Sequence, residues 1–200
     1  MDYTLIQHAV SYVENLFSTQ ADGHDAQHTM RVYRNAMLIA GDYPGCNLEN
    51  IALAALLHDA DDHKLFSTQD NANSRAFLER NQVPQETIDR ICRVINSVSF
   101  SRNKGRGSLT PEGKIVQDAD RLDAMGAVGI ARTFAYGGEH GRSMQKSVQH
   151  FYDKLLRLKG LMNTETGKQM AEKRHAFLEQ FLSEYKQETA FQDLVPGLNS

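Results

Sequence analysis

The chain has few of the residues that punctuate or staple a fold: four prolines and two cysteines in 200 residues. Cys46 and Cys92 show no CxxC spacing, so no disulfide framework is expected and a reducing compartment is the simpler reading. No apolar run approaches the roughly 18 residues that span a bilayer. The opening segment MDYTLIQHAV has no basic region followed by an apolar one, which argues against a signal peptide. A cytoplasmic protein with no membrane partner is expected. Charge of one sign is also scarce. Twenty-two Lys and Arg face 25 Asp and Glu, a net charge of −3. That balance disfavours binding to a nucleic acid polymer, but it leaves room for a local basic pocket that takes a phosphate. Alternating strand patterns, repeats and low-complexity blocks are missing as well.

Helical blocks fill the chain instead. Residues 4–18 carry Ile6, Val10, Val13 and Phe17 near a 3.6-residue period, flanked by Leu5 and Leu16. Helices are also predicted over 22–41, 49–59, 69–81, 84–98, 110–138, 142–162 and 164–187, with a polar, basic loop at 99–110. In the second block Met30, Ala36, Met37 and Ala40 are expected to face inward. The class is all-α: one helical domain over 1–190, with helices 142–187 packing on a motif-bearing core at about 20–160, then a loose tail at 191–200.

Four places set unusual groups into helices that otherwise look buried. GHDAQHTMRV holds His24, Asp25, His28 and Arg31, and the three- and four-residue steps put His24, His28 and Arg31 on one face. IALAALLHDADD runs from an apolar helix into His58-Asp59, with Asp61, Asp62, His63 and Lys64 behind. The 99–110 loop carries Arg102, Lys104 and Arg106. QDADRLDAMGAVGIAR brings Asp118, Asp120, Arg121, Asp123 and Arg132. Imidazole and carboxylate together suit Zn²⁺, Mn²⁺, Fe²⁺ or Co²⁺. Neighbouring residues point about 100° apart on a helix, so His58 and Asp59 can share one ion only where the helix ends over it. A cation would also offset the cost of burying these carboxylates.

The strings HDAQHTMRV, LLHDADD and QDADRLDAMGAVGIAR, in this order, resemble the HD superfamily of metal-dependent phosphohydrolases, in particular its small bacterial HD-domain hydrolases. The resemblance runs over about residues 20–160. It implies His28, His58, Asp59 and Asp120 as metal ligands. Asp120 is preferred to Asp118 and Asp123 because ADRLD matches the family's AD-R-L segment. Asn96 and Ser97 stand where some members place extra histidines, which favours a single divalent ion: Mn, Co, Fe, Zn, Ni or Mg.

The implied reaction is attack of a metal-activated water on phosphorus. Asp62 is the candidate base, one turn past His58 if that helix continues. His24, spaced as in HExxH but followed by a shorter aspartate, is assigned to contact with substrate or water. Arg31, Lys64, Arg121 and Arg132 are expected on the substrate side, with Asp123 there to orient a ligand or water. Arg102, Lys104 and Arg106 read as a solvated loop or a lid. Asp61 reads as solvated. The substrate expected is a nucleotide or other small phosphate ester or anhydride, with pyrophosphate release from a (deoxy)nucleoside triphosphate as the specific reading. A regulatory or ligand-sensing HD module without turnover is the alternative. A monomer and a homodimer both fit.

Overall fold

The computed structural model describes residues 1–18, 26–63, 65–98, 108 and 110–189. His24, Asp25, Lys64, Arg102, Lys104 and Arg106 lie outside the described residues, as does the 191–200 tail. The described residues form nine α-helices and no strand: α1 Tyr3–Leu16, α2 Ala26–Ala40, α3 Leu48–Leu57, α4 Ala72–Arg80, α5 Gln85–Val98, α6 Pro111–Asp123, α7 Gly126–Glu139, α8 Met144–Asp153 and α9 Glu165–Thr189. The protein is all-α.

Local chemistry fixes most helix starts. Asp2 accepts from the Thr4 and Leu5 amides at the start of α1. Asn47 accepts from Asn50 N at the start of α3. Thr110 accepts from Gly113 N, with Pro111 as the first residue of α6. α3 is the central element. Every residue from Asn50 to Leu57 is buried, because α1, α2, α5 and α6 surround it. On α2 the buried face is His28, Thr29, Val32, Asn35, Ala36, Ile39 and Ala40. Met30 and Met37, expected inward, are only partly buried.

Three expected helices are shorter or broken. α3 stops at Leu57, and residues 58–61 form a turn. The 110–138 block divides at Ala124–Met125, where Gly126 takes φ +67°, a left-handed conformation that glycine adopts without penalty. The 142–162 block is helical only to Asp153 and continues as two 3₁₀ turns, Leu155–Arg157 and Lys159–Leu161.

A buried carboxylate seats the last helix. Asp118, with no exposed surface, accepts from the backbone amides of Asn163 (2.9 Å) and Thr164 (2.7 Å), from Asn163 Nδ2 (2.8 Å) and from Thr164 Oγ1 (2.7 Å). These are donors at and just before the start of α9, so Asp118 caps that helix from α6 and anchors it to the core.

Candidate metal centre

The C-terminal end of α3, the N-terminal half of α2 and the last turn of α6 meet at one point. His58 is the C-cap residue of α3. Its Nδ1 donates to the Ala55 carbonyl at 2.9 Å. A carbonyl only accepts, so the neutral ring carries its lone pair on Nε2. His28 sits on the buried face of α2, and its Nδ1 donates to Asp123 Oδ2 at 2.7 Å, which leaves the lone pair of its neutral form on Nε2 as well. The two rings stand edge-on with centroids 5.2 Å apart.

Both Nε2 atoms face the same pair of carboxylates. His28 Nε2 lies 3.4 Å from Asp59 Oδ2 and 3.5 Å from Asp120 Oδ1. His58 Nε2 lies 3.3 Å and 3.9 Å from those atoms. One ligand atom each from His28, His58 and Asp120 falls within 4.8 Å of the others, so this His-His-Asp group could hold a metal ion. Ligand atoms about 2.1 Å from a common ion stand roughly 3.0–3.4 Å apart, close to the spacing here. His58 Nε2 is enclosed and makes no hydrogen bond of acceptable geometry within the described residues. In the neutral ring a buried lone pair aimed at two carboxylates is costly, and a cation, whether proton or metal, would satisfy these atoms together. The electrostatics agree. Burial alone would lower the His58 pKa, but Asp59 and Asp120 outweigh it and raise it to about 9.

Behind His28 lies a second set of charges. Asp123 is 1% exposed. Besides His28 it accepts from Arg31 Nε (2.6 Å) and Nη2 (3.1 Å) and from Arg132 Nη1 (2.6 Å). Arg132 Nη1 also comes within 2.9 Å of His28 Nδ1; both donate to the same Asp123 oxygen. Burial pushes the Asp123 carboxyl upward, but the hydrogen bonds from His28 and Arg31, with the nearby positive charge, hold it well below the usual carboxylate range.

Several expected placements change. Asp123, expected among the substrate groups to orient a ligand or water, is buried behind His28 and accepts from its Nδ1. Arg31 and Arg132 converge on Asp123 on the Nδ1 side of His28, not on the Nε2 side. Arg121 points away from the centre. It follows Asp120 by one residue, about 100° round the helix, and is 3% exposed. Its Nη1 donates to the Leu161 carbonyl and lies 3.8 Å from Asp118. Burial pulls its pKa down, against the pull of Asp118 and Asp120. Asp62 loses the premise of its assignment, since α3 does not continue to it; its carboxylate lies 3.4 Å from His63 Nδ1. Asp61 is buried rather than solvated. It accepts from Asn73 N, Ser74 N and Ser74 Oγ at 2.7–3.0 Å, capping α4 from thirteen residues away.

Sequence reasoning missed Asn35. It is 6% exposed and donates to the Ala119 carbonyl at 3.3 Å, beside Asp120. The signal was its spacing of four from Arg31 and seven from His28, a third polar residue on that face of α2. A 640 Å³ cavity opens beside the 58–61 turn, lined by Asp61, His63, Phe66, Thr68, Asn71 and Asn96 among others. Among the described residues, no helix is long and apolar enough to cross a membrane.

A family model for the HD domain matches residues 25–125, the span that supplies all four converging side chains. YpgQ of Bacillus subtilis strain 168 is 38% identical over 199 residues, covering 95% of this chain and 93% of that one. A crystal structure of Bacillus subtilis YpgQ in complex with ADP superposes with a TM-score of 0.80 at 32% identity over 98% of each chain. An HD-superfamily hydrolase from Bacillus thuringiensis gives a TM-score of 0.79 at 38% identity, over 96% of this chain and all of that one. With its helices, its ordered motifs and their convergence in space, the chain belongs to the HD-domain superfamily.

Proposed function

We propose that this protein is a metal-dependent phosphohydrolase acting on a nucleotide, releasing pyrophosphate from a nucleoside or deoxynucleoside triphosphate. The observation that carries the reading is the enclosed Nε2 of His58, 3.3 Å from Asp59 and 3.9 Å from Asp120, with the His28 Nε2 beside it. His28, His58, Asp59 and Asp120 hold one divalent cation. Nitrogen and oxygen donors of this kind accept manganese, cobalt, iron, zinc, nickel or magnesium. A bound ion supplies Lewis acidity and a water whose pKa falls toward neutrality.

The chain's own residues do the rest. Ala55 O and Asp123 orient the two imidazoles so that their lone pairs converge. Arg31 and Arg132 place two positive charges behind the centre, favouring an anionic ligand in front of it. Asp62, three residues from Asp59 and partly buried, serves as the proton acceptor. The cavity beside the turn takes the uncharged part of the substrate. Among the described residues its lining offers the Phe66 ring, His63, the Asp61 and Asp70 carboxylates and several neutral polar groups, which suits a sugar and base better than a phosphate. A nucleotide is also the ligand in the YpgQ complex with ADP.

The test is a nucleotide panel with Mn²⁺, Co²⁺ and Mg²⁺, with phosphate and pyrophosphate measured separately. Metal-dependent pyrophosphate and monophosphate in equal amounts are expected, and they vanish in Asp59→Ala. Tight nucleotide binding without product would refute the reading in favour of a ligand-sensing module.

A further inference from the structure

We propose that Arg174, on the C-terminal helix, and Asn35, on α2, form a clamp that positions Asp120 and Asp123; the metal role of Asp120 rests on the function proposed above. Arg174 lies outside the residues that match the HD-domain family model. Its Nη1 donates to the Leu122 carbonyl at 2.5 Å, and its Nη2 donates to Asn35 Oδ1 at 3.1 Å. The Asn35 amide then donates through Nδ2 to the Ala119 carbonyl at 3.3 Å. One planar guanidinium and one amide thus bridge two backbone carbonyls of α6. Ala119 immediately precedes Asp120, and Leu122 immediately precedes Asp123.

The carbonyls in the last turn of a helix have no intrahelical partner, and such turns fray unless something holds them. In α6 that turn carries Asp120 and Asp123; Ala124 N and Met125 N reach Arg121 O and Leu122 O at 3.2 and 3.1 Å, and Arg174 adds a side-chain donor to Leu122 O. The Arg174 stem is packed into the same joint: a Cβ on Gly126 would come within 3.2 Å of Arg174 Cγ, and Gly126 starts α7 directly after the break. Arg174 is half-buried, and burial lowers its pKa against the opposing pull of Asp123. α9 is therefore part of the site's support as well as of the core. Arg174 and Asn35 are positioning residues; they act through the backbone of α6.

The experiment compares full-length wild type, Arg174→Gln, Arg174→Lys, Asn35→Ala and Thr164→Ala. Thr164→Ala loosens the start of α9, where its hydroxyl accepts from Gly167 N and donates to Asp118, while leaving every hydrogen bond of the clamp in place. Mn²⁺ affinity is measured by calorimetry, and amide hydrogen exchange is followed over residues 120–124 in metal-free protein. Arg174→Gln and Asn35→Ala should weaken Mn²⁺ by about 10–100-fold and speed exchange at 120–124. Arg174→Lys reaches one carbonyl but lacks the fork, so it falls between. Thr164→Ala should lower Tm by about 2–4 °C and leave both readouts within about twofold of wild type. The clamp is overturned if folded Arg174→Gln keeps wild-type affinity and exchange, or if Thr164→Ala impairs both equally. If wild type takes up no Mn²⁺, the metal reading fails, and the exchange comparison alone decides the clamp.

Discussion

Replacing Asp123 with asparagine tests the charge set behind His28. The carboxylate is 1% exposed and accepts from His28, Arg31 and Arg132. Asparagine keeps the size but removes the charge and one acceptor, leaving two guanidiniums and an imidazole N–H around a neutral amide. Breaking a fully buried ion pair from one side costs about 3–5 kcal/mol. The Arg31 and Arg132 side chains are 29% and 25% exposed, so solvent screens part of this. A loss of about 2–3 kcal/mol follows, or roughly 4–12 °C in Tm for a chain of this size. The pH dependence has a definite sign. A depressed carboxyl pKa contributes stability that is present above the unfolded value near 3.9 and is lost as pH falls below it. Urea unfolding of chelator-treated wild type and Asp123→Asn should therefore show the largest gap near pH 6–7 and a narrowing gap below about pH 4. A gap under about 0.5 kcal/mol at pH 7, or one that widens in acid, would refute the reasoning.

Other outcomes follow from the same geometry. The His58 pKa, raised from 6.5 to about 9, contributes stability in metal-free protein that is fully present below pH 6.5 and lost as pH rises through about 9. Urea midpoints of chelated wild type should fall over that window more steeply than those of His58→Gln. Asp61→Ala removes the acceptor of three donors at the start of α4 and should cost about 2–4 kcal/mol in denaturant unfolding. Gly167→Ala would place a Cβ 2.6 Å from Asp118 Oδ2 and from Thr164 Oγ1, so thermal melts should show a loss of about 1–3 kcal/mol from overpacking.

The helices and the four converging side chains were legible because their signals are local or repeat in order. A 3.6-residue period marks α1 and α5, and three short motifs mark the ends that meet. What was not legible depends on partners far along the chain. Asp61 looks like one more acid after His58-Asp59 until Asn73 and Ser74 are brought against it. The ADRLD segment singled out Asp120, but the role of Asp118 shows only in the turn before α9, whose donors it accepts. Arg121 sits beside a carboxylate of the centre in sequence, but rotation about the helix sends it to Leu161. The break at Gly126 was hidden because the good helix formers Ala124, Met125 and Ala127 around it keep the helical pattern running. Arg174 carried no motif at all; its role appears only where α9 crosses the end of α6.

The central claim is that His28, His58, Asp59 and Asp120 form one cation site. Calorimetric titration of Mn²⁺ into chelator-treated wild type and Asp120→Ala tests it most directly, because Asp120 is 27% exposed at its side chain and can be truncated with little effect on folding. One ion per chain is predicted for wild type, with affinity at least about 100-fold weaker in the variant. Equal stoichiometry and equal affinity in the two proteins would contradict the account.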